Sequence, residues 1–333
     1  LISSMVAWPW SKPPLPPPPP PHFIEAHASF VGVLLCIAGP LSCYLLLGPP
    51  LKARAPSKQH GRATMTTIDW PRLSVAAAQQ SREVFVGCVA LFLALRTVLR
   101  IATGHTRIAG AVTSGEQVVG DAASLAADVM AYNIVSLAFA CSSSALGVFE
   151  WLGPIHKVGG TALDRLYGRS PLAERLCRLT AGYECFNLIA VVLLPEYRTA
   201  AFIGHHAVTC FLGVLSMHPW CHYYATFFFG VASLSSVPLC VGELFSAAGL
   251  EALVEASKPP FVLLFLLLRT AYWPYVSAGF WQDSLWALAK PRDRAHSLVA
   301  YAALLGANVF LTGLQVFWTG QICAAVGEAL GQQ

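Results

Sequence analysis

The chain has 333 residues, of which 56% are hydrophobic and 11% are charged. Ordinary soluble domains carry roughly 25% charged residues, so this composition excludes a soluble globular protein and indicates a multi-pass membrane protein. The formal net charge of +4 comes from basic residues scattered between apolar runs, which excludes nucleic acid as a partner because that binding needs a basic face or a recognised module.

The chain divides by composition into an N-terminal region and a long apolar domain. Residues 1–24 are rich in proline and are predicted to be disordered, and residues 25–48 are predicted to form an N-terminal transmembrane helix. A basic linker is predicted over residues 49–79. The main membrane domain is predicted over residues 80–326, followed by a short tail at 327–333.

Apolar runs define the predicted spans, since a helix needs about 20 mostly apolar residues to cross a bilayer. Their number predicts an all-α, multi-pass transmembrane helix bundle with seven or eight spans. The predicted spans are Glu25–Gly48, Glu83–Thr103, Ala126–Trp151, Leu176–Leu194, Thr199–Met217, His222–Ala247, Pro260–Trp281 and Ser297–Ala324. Short connections after residue 195 favour antiparallel neighbours.

Two adjacent histidines, His205 and His206, lie inside the otherwise apolar run Ile203–Leu215. A polar group in hydrocarbon costs several kcal/mol unless it faces a cavity, a partner or a substrate, so the pair is predicted to be catalytic, as a general base. The alternative is a polar contact between helices. Consecutive helical residues point about 100° apart, so the two rings are not expected to face one narrow cavity. Thr209 is close enough to hydrogen-bond either ring.

Arg269 follows eight apolar residues inside a predicted span, where a central arginine costs about 2.5–3.5 kcal/mol on insertion scales. Two interpretations are open. Arg269 either binds a phosphate or carboxylate of a ligand, or pairs with Glu184 or Glu243 and holds the bundle together. Trp273 belongs to a group of aromatic residues that is typical of a membrane interface.

A metal centre is not predicted. His218 and His222 have the i, i+4 spacing of metal ligands, but no carboxylate is near in sequence and the remaining histidines are isolated. The ten cysteines include no C-x-x-C pair, so neither a zinc ribbon nor a disulfide framework is expected.

From Asp164 onward, six short motifs follow one another in an order that resembles the TLC-domain family, which includes the ceramide synthases. The motifs are D-R-L-Y-G-R-S-P-L (Asp164–Leu172), A-G-Y-E-C-F-N-L (Ala181–Leu188), H-H-A-V-T (His205–Thr209), S-L-S-S-V-P-L (Ser233–Leu239), F-L-L-L-R-T-A-Y-W-P-Y (Phe265–Tyr275) and L-Q-V-F-W (Leu314–Trp318). Asn187, Ser233 and Gln315 depart from the Asp, Glu and Asn of the family pattern, and the aspartates that follow the histidine pair in ceramide synthases are missing.

The resemblance implies a TLC-like bundle that binds or acts on a long-chain lipid in an intramembrane cavity, in the endoplasmic reticulum or another endomembrane. If the chain is an enzyme, the resemblance implies an acyltransferase with acyl-CoA as co-substrate and no other cofactor. The alternatives are an accessory subunit of a larger membrane complex and an early-secretory cargo receptor. The residues expected to contact lipid are Arg269, Tyr183, Asn187, Thr209 and Trp273, and those expected to be structural are Glu184, Glu243 and Gln315.

Overall fold

The computed structural model describes residues 70–108, 116–217, 220–290 and 296–331. The described residues form helices and contain no strand, so the predicted all-α bundle is confirmed. The predicted proline-rich N-terminus and the predicted first span lie outside the described residues. The first described helix begins at Trp70, inside the predicted linker, and the last runs to Gly331, through most of the predicted tail.

The α-helices follow one another with short connections. They are α1 (Trp70–Ile108), α2 (Glu116–Leu152), α3 (Ile155–Val158), α4 (Ala162–Tyr167), α5 (Pro171–Leu193), α6 (Ala200–Ser216), α7 (His222–Ala225), α8 (Ser236–Ala247), α9 (Glu251–Phe265), α10 (Trp273–Ala289) and α11 (Leu298–Gly331). Two π-helical segments (Thr226–Gly230 and Leu266–Tyr272) and two 3-10 segments (Pro195–Tyr197 and Val231–Ser235) interrupt this series.

Among the described residues, five helical stretches are long and apolar enough to cross a membrane. They are Ser81–Ala102, Leu125–Leu152, Pro171–Leu193, His222–Ala247 and Leu298–Ala329, and each coincides with a predicted span. The predicted span Thr199–Met217 corresponds to the shorter apolar helix α6. The predicted span Pro260–Trp281 covers the end of α9, a π segment and the start of α10.

The connection between α5 and α6 shows why the chain reverses there. Thr199 caps α6, since its hydroxyl accepts from the Phe202 amide at 3.3 Å. Only a 3-10 turn separates the two helices, so they are antiparallel neighbours, as the sequence predicts. Their backbones are close, because a Cβ on Gly213 would lie 3.0 Å from the Ala181 nitrogen. This close packing brings the histidine pair of α6 against α5.

Helix α2 packs against the π-helical segment Thr226–Gly230 through a contact between two glycines. Gly147 of α2 and Gly230 at the end of the π segment touch backbone to backbone, and a Cβ on Gly147 would collide with the backbone of Gly230. Only glycine permits such an approach. The irregular stretch after Thr226 therefore lies directly against α2.

Two carboxylates tie the bundle together. Asp283 of α10 accepts from Arg165 of α4 at 2.6 and 2.7 Å and from the hydroxyl of Tyr224, and the hydrogen bond from Arg165 raises the pKa of that guanidinium above its usual value. Asp128 of α2 accepts from Arg96 and Arg100 of α1 at 2.8 and 2.7 Å. These pairs fix α4 to α10 and α1 to α2.

Candidate functional site

A cavity of about 140 Å³ lies inside the bundle. Its walls are mostly apolar side chains, and its polar groups come mainly from α5, α6 and the segments around Arg269. Among the described residues that line it, the charged ones are Glu184 and Arg269. The other polar residues named from the sequence that line it are Asn187, His205, His206, Thr209, Ser233, Tyr183 and Trp273. Mostly apolar walls with a few convergent polar groups are typical of a small-molecule site.

His206 is held by a buried hydrogen-bond network with α5. Its Nδ1 donates to the Glu184 carboxylate at 2.6 Å. Both residues are buried, since His206 is 7% exposed and Glu184 is 4% exposed. The Asn187 amide nitrogen lies 2.9 Å from Nδ1 and 3.3 Å from Nε2 of the His206 ring, while the Tyr132 hydroxyl donates to Asn187 Oδ1 at 2.5 Å. The His206 ring is therefore held by two side chains of α5, Glu184 and Asn187. Glu184, expected to be structural, thus orients the histidine.

His205 lies in a different environment. Its ring meets His206 and Trp318 edge to face, with centroids 4.9 and 5.5 Å away. Its Nδ1 is buried and has no hydrogen-bond partner among the described residues. The expectation that only one ring faces the cavity is wrong, because the cavity extends between α5, α6 and α11 and both rings line it. Thr209, which its spacing places close enough to bond either ring, donates its hydroxyl to the His205 carbonyl at 2.8 Å instead.

Arg269 lies in the π segment Leu266–Tyr272, and its partners are neutral. Its guanidinium donates to Ser235 Oγ at 2.7 Å, to Ser236 Oγ at 3.2 Å and to Gln315 Oε1 at 3.5 Å. The ion pair with Glu184 or Glu243, one of the two interpretations of Arg269, is therefore wrong.

The physical reason is that both carboxylates have other partners. Glu184 accepts from His206, and Glu243 accepts from the Tyr197 hydroxyl at 3.2 Å. Gln315, expected to be structural, contacts Arg269 from α11.

The two aromatic residues named from the sequence line the cavity. Trp273 is 3% exposed and its indole nitrogen donates to Thr312 Oγ1 at 3.0 Å, so it does not belong to an interfacial belt as its sequence context suggested. Tyr183 stacks on Phe139, with ring centroids 3.7 Å apart. Together these rings close part of the apolar wall.

One group of residues has donor atoms close enough to share a metal ion. The ligating atoms of Glu184, His205 and His206 all lie within 4.8 Å of one another. Two histidines and a glutamate also form catalytic zinc sites. Here, however, Glu184 and His206 already satisfy each other, and the absence of a metal site stays a prediction. His222 is held by the Ser170 amide and the Ser216 carbonyl, while His218 lies outside the described residues.

Several site residues were missed by sequence reasoning. Tyr132 supports Asn187, and Ser235 and Ser236 are the partners of Arg269. The available signal was a polar side chain inside an apolar run, which a serine or tyrosine provides only weakly because both occur commonly in membrane helices.

Comparison with known proteins identifies the architecture. The family model described as TLC domain matches residues 130–324, which is more than half of the chain and includes all of the residues that line the cavity. No curated protein and no solved structure matches the chain. The match agrees with the motif order from Asp164 onward and with the membrane-spanning helices. The chain therefore belongs to the TLC-domain family and is an integral membrane protein.

Proposed function

We propose that this protein binds a long-chain lipid, with the polar part of the lipid in the cavity and its acyl chain against the membrane helices. The observation that carries the proposal is the cluster of Glu184, His205 and His206 at a mostly apolar cavity inside the bundle. Polar groups at membrane depth are retained where they meet a ligand, a partner or a proton path. His205 presents an Nδ1 that no described residue satisfies.

The size of the cavity supports a particular division of the lipid. A cavity of about 150 Å³ holds a guest the size of benzene, so the space beside the histidines fits a head group and a few methylenes. An apolar groove between α6 and α11, lined by Ala207, Phe211, Gly306 and Phe310 among others, provides a surface for the remaining acyl chain. Such a lipid would contact Tyr183 and Trp273 as well as the polar cluster.

Acyl transfer is the second candidate, and the Glu184–His206 hydrogen bond favours it. A carboxylate that fixes the orientation of a histidine is a common feature of acyl-transfer sites. Here Glu184 orients His206, and the His206 ring packs edge to face against His205 with centroids 4.9 Å apart. His205, whose Nδ1 no described residue satisfies, is the base that takes the proton from an amine or hydroxyl. That nucleophile attacks the thioester of acyl-CoA, and the thiol of coenzyme A leaves.

Native mass spectrometry of the purified chain tests lipid binding. We expect a long-chain lipid to be retained by the wild type and lost from Leu311→Trp, which fills the cavity from α11. The matched control is Val316→Trp on the same helix, where the residue is 68% exposed and the lipid should be retained. A photoreactive fatty acid should label residues of the cavity wall in the wild type.

Each outcome of this experiment decides one point. Labelling restricted to outward-facing positions, or a wild type without lipid, would contradict the proposal and favour an accessory or cargo-receptor role. Incubation with acyl-CoA and an amine or hydroxyl lipid separates the two candidates. Transfer that is lost in His205→Gln, with lipid still bound, indicates the acyltransferase, whereas binding without transfer indicates lipid handling alone.

A further inference from the structure

Arg269 brings a full positive charge to the cavity without a carboxylate to pair with it. Within the described part of the chain its hydrogen-bond acceptors are two serine hydroxyls and one glutamine carbonyl, all of them neutral. The ring of Phe265 adds a cation–π contact, with the guanidinium carbon 5.8 Å from the ring centroid. These groups satisfy three donors, and none of them carries a negative charge to balance the guanidinium.

The backbone around Arg269 is irregular, which is typical of functional sites inside helices. Arg269 lies in a π-helical segment, and Ser235 ends the 3-10 segment that faces it. π segments inside α-helices occur frequently at functional sites, and irregular backbone at membrane depth is tolerated where it lines a cavity or is buried in protein. Both interruptions lie where the chain meets the cavity, since Ser233 of the 3-10 segment and Arg269 of the π segment line it.

The other charge at the cavity is already engaged. Glu184 accepts from His206 at 2.6 Å and makes no ion pair with Arg269. The guanidinium carries five N–H donors, of which the neutral partners use three, and two remain. A planar donor pair of this kind matches an oxyanion with two oxygens.

We propose that Arg269 binds the anionic group of the lipid, a carboxylate or a phosphate, and so selects acidic lipids over neutral lipids of the same chain. Ser235, Ser236 and Gln315 hold the guanidinium in place from two sides. The cost of keeping an arginine in the membrane is then offset when the ligand is bound. This inference rests on the proposed lipid binding and names the chemical class of the lipid.

Competition binding to the full chain in nanodiscs tests this selection with matched probes. Oleic acid and methyl oleate share one chain and differ in charge, and lysophosphatidic acid and monoacylglycerol differ in the same way. We expect the wild type to prefer at least one acid over its neutral partner by roughly tenfold or more, the factor that one hydrogen bond to a charged group provides. The preferred pair distinguishes a carboxylate from a phosphate.

Variants assign the preference to Arg269. Arg269→Met should bind the acidic and the neutral probe about equally, and Arg269→Lys should keep part of the preference. Arg198→Met is the matched control, because Arg198 is exposed and donates to the Val192 carbonyl outside the cavity. Equal binding of acid and neutral probe by the wild type overturns this inference and leaves lipid binding intact. Absence of binding by all four probes overturns both proposals.

Discussion

The hydrogen bond between Glu184 and His206 should be a measurable coupling between α5 and α6. Both residues are buried, and the carboxylate accepts from Nδ1 at 2.6 Å. A hydrogen bond to a charged group contributes about 1.5–3 kcal/mol. Since removal of either partner also changes the desolvation of the other, single variants do not isolate this energy. A double-mutant cycle does.

The cycle uses Glu184→Met, His206→Leu and the double variant. Size-exclusion chromatography after heating monitors the thermal unfolding of each. We expect a coupling of about 1.5–3 kcal/mol, because the second substitution has no bond left to remove. An unfolding entropy of about 2.1 cal/mol/K per residue gives about 1.4 °C per kcal/mol for 333 residues, so the double variant should melt roughly 2–4 °C above the temperature obtained by adding the two single shifts.

A control cycle combines Glu184→Met with Thr209→Val in place of His206→Leu. Thr209 donates to the backbone of His205 and has no hydrogen bond to Glu184, so its shift should add to that of Glu184→Met within about 0.5 kcal/mol. Additive shifts in the Glu184 and His206 cycle would refute the network. The histidine would then be positioned by packing alone, and the acyl-transfer candidate would lose the feature that favours it.

Two further predictions concern the frame around the cavity. Gly147→Ala should lower the unfolding midpoint by the equivalent of about 1–3 kcal/mol, because the added Cβ collides with Gly230. The control Gly306→Ala, whose Cβ has nothing within 4 Å, should change the midpoint little. Equal shifts would contradict the glycine contact. Asp283→Asn should cost about 1–3 kcal/mol in the same assay because it weakens both hydrogen bonds from Arg165, and an unchanged midpoint would show that α4 is held otherwise.

The membrane spans could be predicted because bilayer thickness fixes the length of an apolar helix. The span His222–Ala247 was predicted and found with the same bounds. Its interior could not be predicted, since it contains a π and a 3-10 segment. That irregularity coincides with the contact of Gly230 and Gly147, and apolar periodicity carries no information about contacts between distant helices.

The histidine pair could be located for a similar reason, because an imidazole stands out in an apolar run. The environment of the pair could not be predicted from the sequence. Adjacent positions on α6 indicate divergent rings, yet the cavity lies among several helices, and His205 and His206 both line it. Which ring meets Glu184 depends on how α5 and α6 are rotated about their axes. Nothing in the local sequence sets that rotation, whereas the close approach of Gly213 to Ala181 does.

The hydrogen-bond partner of Glu184 determines which groups surround Arg269. The sequence offers two carboxylates to this arginine, and either would have made a structural ion pair of it. Because Glu184 bonds His206 instead, one interaction both orients the histidine and leaves the guanidinium with neutral partners. A charge of that kind in a membrane is costly unless an anion joins it. The same hydrogen bond that favours acyl transfer at the histidines thus leaves Arg269 available for the charged group of a ligand.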